Sequence, residues 1–251
     1  MSSPVIQRGH GEYVAGETHI AIRDRLYDGG RAILAAPISL WNINWALLDG
    51  AERNRNYGFA DHGYLWITSH MGQTTPAGTF GNDLARTRLG QLRTYAQTAL
   101  GAPSGKVHLT GISGGAAAAI NYARQNPGNV QSIVGFTPLV DIQALRDLPD
   151  AIMPPASKAE IENAWGGAAA FTAAMPAGNP SASGNQAALA GIPILLVYSE
   201  DDVYIPKSIV LAYAESVNAA GGDVRLHSLG TTGHSILGLD DNVIYDFLAD
   251  T

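Results

Sequence analysis

Apolar and polar positions along the chain alternate between two spacings. Residues 18–24, Thr-His-Ile-Ala-Ile-Arg-Asp, alternate with the period of two that predicts a strand. The apolar run 32–36 predicts another strand. The turn-prone Tyr27-Asp28-Gly29-Gly30 before it predicts that the two form an antiparallel hairpin. Residues 40–48 place Trp41 and Trp45 four apart, on one helical face, closed by Asp49-Gly50. Strands are predicted at 64–69, 106–110, 130–136, 192–198 and 224–229. Helices are predicted at 84–100, 116–124, 207–220 and 243–250. The run 192–198 is continuously apolar, as suits a strand buried on both faces of a parallel sheet. Strands that alternate with helices imply an α/β fold, with a mostly parallel sheet covered on both faces.

The stretch 145–190 breaks the rhythm. Pro149, Pro154, Pro155, Pro176 and Pro180 punctuate it, Gly166-Gly167 and 181–184 loosen it, and 158–175 has room for one or two short helices. It is longer than an ordinary connection. It is expected to be a cap or lid insertion over a site, the alternative being a plain crossover. Within that division the chain 1–251 is expected to be one domain, long enough to bury roughly 70–75% of its unfolded surface.

Composition narrows the function. With 46% hydrophobic and 15% charged residues the chain suits a folded globule. A net charge of −7 without a Lys/Arg run argues against a nucleic-acid partner. Without cysteine there is no disulfide, thiolate nucleophile or cysteine metal site. His10, His19, His62, His108 and His227 have no metal-binding spacing, and no glycine-rich strand–helix junction suggests a nucleotide. No cofactor and no metal is expected. Neither a secretory leader nor a membrane span is visible, so a cytoplasmic location is expected.

Three segments carry chemistry. Gly111-Ile112-Ser113-Gly114-Gly115 reads G-x-S-x-G between a predicted strand and a predicted helix. This nucleophile-elbow pattern lifts a serine hydroxyl out of a strained turn. The turn brings the residues two before and two after the serine together, so a Cβ at 111 or 115 would collide. The strand at 192–198 ends in Ser199-Glu200-Asp201-Asp202, placing a carboxylate at the carboxyl end of a sheet strand, where open α/β sheets build their sites. The strand at 224–229 ends in Gly230-Thr231-Thr232-Gly233-His234, a small-residue loop able to bring an imidazole to a serine from another strand.

These segments resemble the α/β-hydrolase family. The elbow matches in full. Residues 199–206 are similar to the family's G-x-x-D-x-x-V-P, with Ser199 and Ile205 in place of the first glycine and the valine, and 230–234 are similar to G-x-x-G-H. The order Ser113, Asp202, His234 is the family's order. The resemblance runs roughly from Arg31 to the C-terminus. One departure is that 37–40, Pro-Ile-Ser-Leu, stands where many members carry His-Gly.

The resemblance implies a serine hydrolase of carboxylesterase type acting on a small-molecule ester. Ser113 is the nucleophile, His234 its base, and Asp202 the acid that orients the imidazole. It also implies an oxyanion hole from the N–H of Gly114 and a second donor after the strand 32–36. Pro37 has no N–H, which leaves Ile38 or Ser39, with Ile38 preferred. Trp41, Met71 and Trp165 are candidates for an apolar substrate pocket, whereas Trp45 reads as core and His70 as structural. Asp141 is a rival for the acid, its other reading being a helix N-cap before 142–145. Asp201 is a second rival, its side chain expected to point elsewhere. Amide, peptide or lactone hydrolysis on the same fold is the alternative chemistry, and a non-catalytic small-ligand-binding module is the alternative class.

Overall fold

The computed structural model describes residues 4–12, 14, 15, 17–36, 50–69 and 79–251. Its eight strands among the described residues are β1 (Val5–His10), β2 (Thr18–Arg23), β3 (Ala32–Ala36), β4 (Leu65–Ser69), β5 (Val107–Ile112), β6 (Val130–Phe136), β7 (Pro193–Tyr198) and β8 (Asp223–Ser228). They form one sheet in the order β1-β2-β4-β3-β5-β6-β7-β8. β2 is antiparallel to both β1 and β4; every other pairing is parallel.

The sheet has helices on both faces. On one face the helices Asp83–Ala99, Gly114–Gln125 and Lys207–Ala219 bury Leu89, Leu92, Ile120, Tyr213 and Val217 against Leu34, Leu109, Ile133 and Leu196. On the other, the helices Gly50–Asp61 and Asn242–Ala249 bury Phe59, Ile244, Phe247 and Leu248 against Ile33, Val134 and Val197. Central strands supply side chains to both cores, which is why β3, β4 and β7 read as apolar runs rather than alternations.

Two parts depart from expectation. β2 and β3 are not a hairpin, because β4 lies between them, pairing with both. All of β3 is buried, so it takes an interior place flanked by β4 and β5. The turn beyond Arg23, where the Tyr27 N–H donates to the Asp24 carbonyl, instead leads out of the sheet's antiparallel edge. The helix expected over 40–48 and its close at Asp49 lie outside the described residues, while the helix Gly50–Asp61 was not foreseen. That segment shows no apolar stripe in sequence. It is held from outside: buried Arg55 donates to Asp241 at 2.5 Å and lies over the Phe136 ring at 5.4 Å. The strand β1 was not foreseen either.

The stretch 145–190 contains the helices Pro155–Ala164 and Ala168–Gly178 and a short 3-10 turn, Gln186–Leu189. Ile161, Phe171, Met175 and Leu189 are buried in the first core. Asn121 donates to the Gly178 carbonyl at 2.7 Å and Arg124 to that of Ala177 at 3.0 Å, both from the distal half of the helix Gly114–Gln125. No described helix is long and apolar enough to cross a membrane.

Parallel register brings chemistry to one edge. Ile112 pairs with Phe136, Phe136 with Val197, and Tyr198 with Ser228. The residues that follow these strand ends, Ser113, Thr137, Ser199 and Leu229, therefore emerge at neighbouring levels on the carboxyl side of the sheet.

Candidate active site

Ser113 sits between β5 and the helix Gly114–Gln125 with φ 51° and ψ −120°. A non-glycine residue reaches that region only when its surroundings force it, at a cost of about 1–3 kcal/mol. The surroundings are visible. The Ser113 N–H donates to the Phe136 carbonyl at 2.9 Å, and the Ser113 carbonyl accepts from Ala116 at 3.0 Å and Leu139 at 3.1 Å. A Cβ on Gly111 would overlap the Gly115 carbonyl, so the expected glycine requirement at that position holds. Gly114, buried, is the first residue of the helix, so its N–H has no partner within the helix.

His234 reaches this serine from the loop after β8. Its Nε2 lies 3.1 Å from Ser113 Oγ, and its Nδ1 lies 2.7 Å from Asp202 Oδ2. A carboxylate only accepts, so this contact puts the ring proton on Nδ1 and leaves the Nε2 lone pair facing the serine hydroxyl. The Asp202 side chain is 1% exposed, against 27% for His234. Its second oxygen is not orphaned: Oδ1 accepts from the Tyr204 N–H at 2.9 Å and the Ile205 N–H at 3.0 Å. Two backbone donors and the imidazole thus compensate a buried carboxylate. The arrangement can take a proton from Ser113 and hold the resulting imidazolium next to an anion.

The rivals separate cleanly. Asp141 caps the helix Ile142–Arg146, accepting from the Ala144 N–H at 2.9 Å, and it also accepts from Asn179 at 2.8 Å. Asp201 does not meet the imidazole. It accepts instead from the Ser199 hydroxyl and from the Gly233 N–H, each at 2.7 Å. These two donors, the serine first, hold its carboxyl below the usual range.

Of the candidate pocket residues, the structure places Trp165 against Gly178 and the first core; none of its described contacts is with Ser113, Asp202 or His234. Ile38, Trp41 and Met71, and with them Trp45 and His70, lie outside the described residues. Sequence reasoning missed Tyr204, whose ring meets His234 edge-on at 5.5 Å. Its only signal was its place two residues beyond the acid. Among the described residues no group of three or more His, Cys, Asp or Glu could hold a metal ion.

No protein-family profile matches the chain, and no curated protein matches it by sequence. Solved structures do match. An esterase from the fungus Rhizomucor miehei is 12% identical with a TM-score of 0.74, the match covering 98% of this chain and 83% of that one. Esterase 2 of Thermogutta terrifontis, solved phosphonylated by sarin, is 16% identical with a TM-score of 0.67 over 100% of this chain and 94% of its own. A candidate dipeptidyl aminopeptidase IV from Bacteroides ovatus is 12% identical with a TM-score of 0.71 over 98% of this chain, which spans only 35% of its length. At these identities the likeness establishes the fold, which is that of the α/β-hydrolases.

Proposed function

We propose that this protein is a serine hydrolase that cleaves a carboxylic ester through an acyl-enzyme. The observation that carries the proposal is the unbroken relay from Ser113 Oγ through both nitrogens of His234 to buried Asp202, built on a strained elbow. Ser113 Oγ attacks the ester carbonyl carbon as His234 Nε2 takes its proton. The oxyanion is held by the Gly114 N–H, with Ile38 proposed as second donor. His234 then protonates the departing alcohol oxygen. It next takes a proton from water, whose oxygen attacks the acyl carbon, and returns that proton to Ser113 Oγ as the bond from Oγ to the acyl carbon breaks and the acid leaves.

An ester is preferred over an amide because the neighbours named esterases are matched over 83% and 94% of their own length, whereas those named peptidases are matched over 35% and 40% of theirs. An apolar pocket from Trp41 and Met71 belongs to this proposal. So does a capping role for 145–190, tested by the acyl-chain preference of a shortened variant.

The test is a fluorophosphonate probe. It is expected to label the chain once, at Ser113, and to leave Ser113→Ala unlabelled, alongside turnover of an activated ester that depends on Ser113. Labelling that survives Ser113→Ala overturns the assignment.

A further inference from the structure

The loop that carries His234 packs on the second core only through partly buried side chains, among them Leu229, Ile236 and Leu239. From Ser228 to Val243 no residue is fully buried, and within it Gly230 and Gly233 adopt left-handed backbone at φ 67° and 63°. Residues 230–234 carry no apolar side chain, so the backbone just ahead of the imidazole is placed by hydrogen bonds to the segment after β7. The Glu200 N–H donates to the Gly230 carbonyl at 2.8 Å. The Ser199 hydroxyl oxygen accepts from the Thr232 N–H at 3.0 Å. The Asp201 carboxylate accepts from the Gly233 N–H at 2.7 Å, one residue before His234.

These contacts are coupled. The Ser199 hydroxyl that accepts from Thr232 also donates to Asp201 at 2.7 Å, so Ser199 and Asp201 act as one unit on two successive backbone N–H groups. Ser199 is also the residue that departs from the glycine of the resembled pattern; a glycine there has no hydroxyl to join the two.

We propose that Asp201 is a positioning residue: its carboxylate, with the Ser199 hydroxyl, latches the backbone of the His234 loop, while the neighbouring Asp202 orients the ring. The two adjacent acids divide one task. Asp202 sets the tautomer and rotation of the imidazole. Asp201 sets the distance from which it is presented to Ser113. The inference rests on the serine-hydrolase reading for its catalytic consequence, but the latch is a property of the loop whether or not that reading stands.

Two measurements test it. On a nitrophenyl acetate, Asp201→Ala is expected to lower kcat roughly tenfold with KM within about twofold, because substrate still binds but His234 is less often in place. Asp201→Asn is expected to recover most of kcat, since its amide oxygen still accepts from Gly233. Independently of turnover, amide hydrogen exchange at Gly233 and Thr232 is expected to speed up at least tenfold in Asp201→Ala, with the melting temperature little changed. Wild-type exchange at Gly233 in Asp201→Ala overturns the latch, and so does wild-type kcat. If wild-type protein turns over no ester, the hydrolase reading falls, and the exchange measurement still decides the latch.

Discussion

Ser113 Oγ and His234 Nε2 stand 3.1 Å apart although 121 residues separate them in the chain. Three parallel pairings bring them together, setting the ends of β5, β6, β7 and β8 at one edge of the sheet. Only interactions that strengthen as the barrier is crossed raise a rate, and in the proposed mechanism this contact is one, because the imidazole takes charge only as the serine attacks. Ser113→Ala is therefore expected to lower kcat on an activated ester by several orders of magnitude while KM changes little.

The same residue makes a prediction about stability. At φ 51° a side chain is strained and glycine is not. Two inactive variants should thus differ in stability: Ser113→Gly is expected to be more stable than Ser113→Ala by about 1 kcal/mol, or ~2–4 °C in Tm. Equal melting temperatures would show that the elbow stores no backbone strain.

Asp202→Asn should be crippling for a reason the hydrogen bonds dictate. The Tyr204 and Ile205 N–H groups occupy Oδ1, so the asparagine carbonyl must take that place. Its NH₂ then faces His234 Nδ1, donor against donor, and the ring can fit only with its proton on Nε2, pointing at the serine. A loss of about 10³–10⁴ in kcat is expected, with the fold kept. Asp141→Ala should do the reverse. It removes the cap on the Ala144 N–H and the bond from Asn179, costing about 1 kcal/mol of stability, with kcat within a few-fold of wild type.

The parts of this protein that were legible in its sequence are those whose cause is local. The elbow is legible because five consecutive residues carry both its sterics and its chemistry. The strand β7 is legible because burial on both faces leaves an apolar run ended by acid, and β5 because its apolar positions alternate ahead of the elbow. What was not legible depends on partners distant in the chain. The helix Gly50–Asp61 has no apolar stripe of its own and is held through Arg55 by Asp241 and Phe136. The hairpin expected of β2 and β3 followed from their nearness in sequence, but β3 is buried on both faces and needs two parallel neighbours. The division of labour between Asp201 and Asp202 was only half visible. Adjacent side chains leave the backbone in different directions, which made a single acid at the imidazole foreseeable. That the other acid turns to Gly233 depends on where the next loop passes.

A buried histidine away from the site should govern the acid limb of stability. His108, in the middle of the sheet, is 1% exposed; its Nδ1 lies 2.8 Å from Ser132 Oγ, and its Nε2 is buried with no hydrogen-bond partner among the described residues. Burial, and then the positive charge of Arg31, push its pKa from 6.5 down to about 4. As pH falls below 6.5 the unfolded chain takes up a proton at this side chain, which the folded chain refuses until about pH 4. The unfolded state then binds more protons, so stability falls with falling pH across that window. The loss from this group between pH 7 and pH 5 is about 2 kcal/mol, on the scale of ~1.4 kcal/mol for each pH unit. Asparagine at this position can keep a hydrogen bond to Ser132 and cannot titrate. Urea unfolding of wild type and His108→Asn at both pH values is expected to show the variant losing about 2 kcal/mol less than wild type. Equal losses would mean that His108 takes up its proton as readily in the folded chain as in the unfolded one.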